Sequence, residues 1–129
     1  MENKRIFISG GAGVIGRELI LLLIKKKADI YVGDLKPCPK EFKGKVKYRQ
    51  GDLNNISPQE IENFSPEIFF HLAATFERST ESYEFWEENY KHNCNLTHHL
   101  ISLIKDLKSI KKIIFASSYL IYKPSLYQF

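Results

Sequence analysis

"ISGGAGVIGREL", residues 8–19, decides how the rest of this chain is read. An apolar run precedes it and a helical pattern follows, so Gly11, Gly13 and Gly16 stand as Gly-x-Gly-x-x-Gly at a strand-to-helix turn. The first glycine permits a tight turn, the second lets backbone approach a pyrophosphate with no Cβ in the way, and the third lets helix and strand pack closely. Amides at the helix start then face the anion. A glycine-rich turn without a ligand is the plainer alternative. It weakens because Asp34 ends the next strand pattern about twenty residues on, where a carboxylate can accept hydrogen bonds from an adenosine ribose.

Working outward, "RIFIS" (5–9), "DIYVG" (29–33), "VKYRQ" (46–50), "EIFFHL" (67–72) and "KIIFAS" (112–117) read as strands rich in Ile, Phe, Val and Tyr. Four of them are apolar at successive positions, as in a parallel sheet covered on both faces. Residues 14–27 read as a helix ending in three lysines, favourable at the negative end of its dipole. A second helix is expected over 83–108, with Trp86, Tyr90, Leu100, Ile104 and Leu107 on its apolar stripe and Asn93 and Thr97 interrupting it. Residues 36–44, with two prolines and a glycine, read as a loop. Alternating strands and helices predict a doubly wound α/β domain with strand order 3-2-1-4-5 and helices on both faces.

Composition narrows the function. The 129 residues, 43% apolar, suffice for one packed domain. The net charge of +4 is scattered in short clusters such as Lys25–Lys27 rather than in a basic arm, which argues against nucleic acid. The longest apolar run, 19–24, is far short of a membrane span. Cys38 and Cys94 lie far apart and fit no metal spacing, which suggests reduced thiols and a cytoplasmic setting. His92, His98 and His99 lack the acid or cysteine that would complete a metal site. His71, at the end of a strand, reads as a packed histidine bonded to backbone.

Read as Gly10-x-x-Gly13-x-x-Gly16, the turn resembles that of the extended short-chain dehydrogenase/reductase family, the NAD-dependent epimerases and dehydratases of nucleotide sugars. Further motifs follow in family order. "GDL" (51–53) resembles the segment whose aspartate, here Asp52, contacts the adenine amine while Leu53 lines the adenine pocket. "HLAA" (71–74) resembles the loop where Leu72, Ala73 and Ala74 pass beside the diphosphate and nicotinamide ribose. Asn89 and Asn95 match Asn-x-x-Gly-Thr-x-Asn-Leu, except that His92 and Asn93 replace its Gly-Thr. In "ASSYLIY" (116–122), Ser118 falls where the family has its catalytic serine or threonine. The resemblance implies an NAD-binding Rossmann-type domain, with Gly10, Gly11, Ala12, Gly13, Val14, Ile15, Gly16, Asp34, Leu35, Asp52, Leu53, Leu72, Ala73, Ala74 and Asn89 around the cofactor. It also implies a nucleotide-sugar substrate, while apolar side chains around Trp86, Tyr90 and Leu100, left without the neighbouring helix that the family supplies, predict a homodimer that pairs helix 83–108 of two copies.

Tyr119 and Lys123 have the spacing of the family's catalytic pair but stand directly after Ser118, and Pro124 keeps the segment from being helical. On extended chain, residues four apart are separated by about 13 Å. They are therefore read as a coincidence, with the true pair expected beyond Phe129 and residues 1–129 forming the cofactor half of an enzyme. Tyr119 and Leu120 replace the acidic pair of nucleotide-sugar dehydratases, which favours an epimerase or reductase. The rival reading is a non-catalytic dinucleotide-binding or interaction module.

Overall fold

The computed structural model describes residues 2–75 and 82–118. Five parallel strands, β1 (Arg5–Ser9), β2 (Asp29–Asp34), β3 (Lys47–Gln50), β4 (Ile68–His71) and β5 (Lys112–Phe115), form one sheet in the order β3-β2-β1-β4-β5. This is the expected order. The helices are α1 (Val14–Lys25), α2 (Pro58–Phe64), α3 (Tyr83–Asn89) and α4 (Leu96–Ile104), with a π-helical segment, Tyr90–Asn95, joining α3 to α4.

Successive apolar residues in the central strands serve two cores, because side chains alternate across the sheet. Ile6 and Ile8 of β1, with Ile30 and Val32 of β2, pack on Ile20 and Leu23 of α1. Phe7 and Tyr31 point to the other face, onto Phe64 of α2 and Leu96, Leu100 and Ile104 of α4. Phe7 stacks on Phe69 of β4 at 5.2 Å between ring centroids. The edge strand β5 departs from this pattern: Ile113 and Phe115 are exposed. Loop 36–44 also contributes to the core, since a single 3₁₀ turn there buries Phe42.

Three sequence expectations need correction. Helix α1 stops at Lys25, two residues early, because Lys27 adopts φ +53° and turns the chain toward β2. The helix expected to run unbroken over 83–108 ends at Ile104 and loses α geometry at 90–95, where His92 and Asn93 replace the family's Gly-Thr. On its apolar stripe Trp86 and Tyr90 stack on each other at 5.5 Å and are exposed, as expected of side chains without a covering helix. Helix α2 was missed altogether. Its signal is Ser57-Pro58-Gln59-Glu60: the Ser57 hydroxyl accepts the Glu60 amide and Glu60 accepts the Ser57 amide, both at 3.2 Å, with proline in the first turn.

Candidate functional site

The carboxyl ends of β1, β2, β3 and β4 open onto one cleft of about 250 Å³. Such ends are where parallel α/β sheets bind ligands. Gly10 carries the tight turn after β1, with φ +77°, and a Cβ there would lie 2.5 Å from the Ala73 amide nitrogen. That corrects the reading that gave this turn to Gly11. The α-carbon of Gly11 instead packs against Val32 and Ile20 in the core, with no room for a side chain. Gly16 has the packing role expected of it, since a Cβ there would meet the Gly10 carbonyl oxygen at 2.5 Å. Gly13 differs from all three. Its absent Cβ would meet only that same oxygen, at 3.3 Å, and Gly13 lines the cleft.

Helix α1 starts directly after Gly13, with no side-chain cap and no acidic residue in its first turn. Its positive end is therefore unscreened toward the turn. Asp34 closes the other side: its carboxylate accepts the Ala12 amide at 2.8 Å and the Lys36 amide at 2.9 Å. Those bonds tie the end of β2 to the glycine turn. A carboxylate offers about four acceptor positions, so a ligand hydroxyl can still be received.

Across the cleft, Asp52 accepts the backbone and side-chain nitrogens of Asn54, both at 2.9 Å, and pairs with Lys91 at 3.3 Å. Burial pushes the Asp52 carboxyl up, but the bonds from Asn54 and Lys91 outweigh it and hold the group below the usual range. Leu53 lies over Gly33, where a Cβ would collide with it. His92 and Leu96 line the opposite wall.

A chain of polar side chains lies behind residues 72–75. His71 bonds Ser9 Oγ through Nδ1 at 2.6 Å and Thr97 Oγ1 through Nε2 at 2.7 Å. Its partners are thus side chains, not the backbone expected. Thr97 Oγ1 donates to the Asn93 carbonyl at 2.6 Å. The Asn93 side chain accepts the Thr75 amide at 2.8 Å, donates to the Thr75 carbonyl at 3.1 Å, and donates to Asn89 Oδ1.

Of the residues singled out in the sequence, the cleft brings together Gly10, Gly13, Asp34, Leu35, Asp52, Leu53, Leu72, Ala73 and Ala74. Ala12 reaches it through its bond to Asp34. Gly11 and Gly16 shape the turn from behind, and the side chains of Val14 and Ile15 are exposed on α1. Asn89 is engaged by Asn93 and does not line the cleft, and neither does Ser118, which is exposed beyond β5. Tyr119, Leu120, Lys123 and Pro124 lie outside the described residues. Sequence reasoning missed Gly33, Gly51, Thr75, Leu96 and the linking role of Asn93. Only His92-Asn93, a departure inside a matched motif, could have flagged the last.

The sequence model of the NAD dependent epimerase/dehydratase family matches residues 6–127. The chain belongs to that family. Within the epimerase/dehydratase family, it is 33% identical over 134 residues to a UDP-N-acetyl-alpha-D-glucosaminuronate decarboxylase of Bacillus cytotoxicus, covering 93% of this chain and 38% of that protein. Its fold is similar to a UDP-glucose 4-epimerase from Brucella ovis in complex with NAD, with TM-score 0.76, 25% identity and coverage of 95% and 37%. It is also similar to MoeE5 in complex with UDP-glucuronic acid and NAD, with TM-score 0.73, 25% identity and coverage of 88% and 36%. The chain thus spans well under half the length of these epimerase/dehydratase relatives.

Proposed function

We propose that this chain binds NAD in the cleft and represents the cofactor-binding part of a nucleotide-sugar epimerase or oxidoreductase. The observation that carries the reading is the open glycine turn at an uncapped helix start facing Asp34 within one cleft. A diphosphate fits where Gly13 leaves space, against the first amides of α1 at Val14 and Ile15. Asp34 would receive the adenosine ribose. Asp52 and Leu53 would hold the adenine, and residues 72–74 would pass beside the diphosphate and nicotinamide ribose. NAD supplies hydride transfer when bound. Ser118, beyond β5, is the residue of this chain that would hold a proton near a substrate hydroxyl. The catalytic tyrosine and lysine would come from outside residues 1–129.

The nucleotide-sugar substrate rests on the names of the relatives, a decarboxylase and an epimerase of UDP-sugars. Pairing of two copies through the helical face of 83–104 rests on the exposed Tyr83, Trp86 and Tyr90. Two free thiols, Cys38 and Cys94, support a cytoplasmic setting. No helix among the described residues is long and apolar enough to cross a membrane.

Titration calorimetry tests the cofactor. NAD is expected to bind more tightly than its 2′-phosphorylated counterpart, because the Asp34 carboxylate repels that phosphate. Asp34→Ala is expected to lose about 1.5–3 kcal/mol of charge-assisted hydrogen bonding, or roughly ten- to a hundredfold in affinity. Equal affinity for both cofactors would remove the role given to Asp34, and no binding of either would remove the proposal.

A further inference from the structure

The polar chain behind the cleft has a direction that can be worked out bond by bond. A carbonyl oxygen cannot donate, so the single Thr97 hydroxyl proton goes to Asn93 O, and Thr97 Oγ1 must accept from His71 Nε2. The imidazole is therefore the Nε2–H tautomer, and its bare Nδ1 accepts the Ser9 hydroxyl proton. The lone pairs of Ser9 Oγ are then left for the amides of Ala73, at 3.4 Å, and of Leu72, at 3.3 Å, the latter shared with its closer acceptor, the Ser9 carbonyl at 3.0 Å. With His71 neutral, both ring nitrogens, both hydroxyl protons and the Asn93 side-chain amide are engaged, and Thr75 Oγ1 is a buried polar atom at the end of the chain left without a partner among the described residues.

We propose that His71 is a positioning residue: as the neutral Nε2–H tautomer it sets residues 72–75 of the cleft wall, through Ser9 at one end and Thr97–Asn93 at the other, and protonation at Nδ1 loosens that wall. The groups facing the ring among the described residues are Ser9 from β1, Thr97 from α4, and the rings of Phe69 in β4 and Phe115 in β5. None of them carries a charge to offset an imidazolium. A proton on Nδ1 would turn Ser9 into its acceptor, and the Ser9 hydroxyl proton would then face the amide donors of Leu72 and Ala73. Burial acts in the same direction, pushing the His71 pKa down.

The cofactor arm of the test rests on the NAD reading, while the other arms do not. Nitrogen NMR of the histidine-labelled chain is expected to show a bare Nδ1 and a protonated Nε2 at neutral pH. On acidification, the amide signals of Leu72, Ala73 and Thr75 should move with the same midpoint as the His71 ring. An Nδ1–H tautomer, or wall amides that ignore the ring's titration, would overturn the proposal. Thr97→Val, which can neither accept from Nε2 nor donate to Asn93, should weaken NAD binding by about three- to tenfold, with Thr97→Ser restoring it. Thr97→Val binding at unchanged affinity would also overturn it. Because His92 lines the same cleft, the pH dependence of NAD affinity is to be measured in a His92→Gln background. Absence of NAD binding at every pH, with the ring and wall amides titrating together, would sink the cofactor reading while supporting the relay.

Discussion

A Cβ on Gly13 meets only the Gly10 carbonyl oxygen, whereas one on Gly16 runs into that oxygen at 2.5 Å and into the Gly11 α-carbon at 2.7 Å. Two glycines three residues apart therefore differ, one leaving the cleft open beside it and the other letting the helix approach the turn. Gly13→Val is expected to leave a folded domain, by circular dichroism and thermal melt, and to abolish NAD binding in calorimetry. Unchanged affinity would move the phosphate site elsewhere. Gly16→Ala should lower the melting temperature, because a new methyl there meets backbone that cannot move aside. The spacing of these glycines was legible in the sequence. Which of them bends the chain was not, because Gly10 and Gly11 are adjacent and are distinguished by tertiary neighbours, Ala73 beyond the end of β4 for the first and Val32 and Ile20 for the second.

Among the elements, α2 depends on its first turn. Glu60 accepts the Ser57 amide and also bonds Tyr31 and Arg49, each at 3.2 Å. The bond from Ser57 is the main reason its carboxyl sits below the usual range; burial opposes, and Tyr31 and Arg49 reinforce. Ser57→Ala should cost about 0.5–2 kcal/mol by urea denaturation, and no cost would mean that packing alone holds the helix. At the opposite end of the sheet, Glu67 joins the starts of β1 and β5. Its carboxylate receives Lys4 at 2.9 Å and Lys111 at 3.0 Å, with the Arg5 amide at 3.3 Å. These bonds hold its pKa at about 2, against 4.5 when free. Between those values the unfolded chain binds more protons than the folded one, so this contribution is complete above 4.5 and is lost as pH falls toward 2. Glu67→Gln should flatten stability against pH across that acid window; an unchanged acid limb would assign it to other carboxylates.

For the whole molecule, exposed large apolar side chains among the described residues include Val14, Ile15 and Leu22 on α1, Leu35 after β2, Tyr83, Trp86 and Tyr90 along α3 and the π segment, and Ile113 and Phe115 on β5. Contiguous apolar surface marks an interface or an aggregation liability. Two copies pairing their helical faces is the two-fold solution for a self-complementary patch. Light scattering is expected to show concentration-dependent association, reduced by Trp86→Glu; a stable monomer at high concentration would refute it. The sequence by itself determined the strand order, the spacing of the glycines, the place of Asp34 at the end of β2 and the family, because these are encoded by local spacing and by the order of motifs along the chain. Tertiary structure alone decided that Gly10 makes the turn, that Asn93 clamps residue 75, that β5 stays exposed, and that His71 answers to Ser9 and Thr97. The contacts among these join residues some 18 to 63 positions apart in the chain, such as Ser9 and His71 at 62. No local pattern records a contact whose two halves meet only once the parallel sheet has formed.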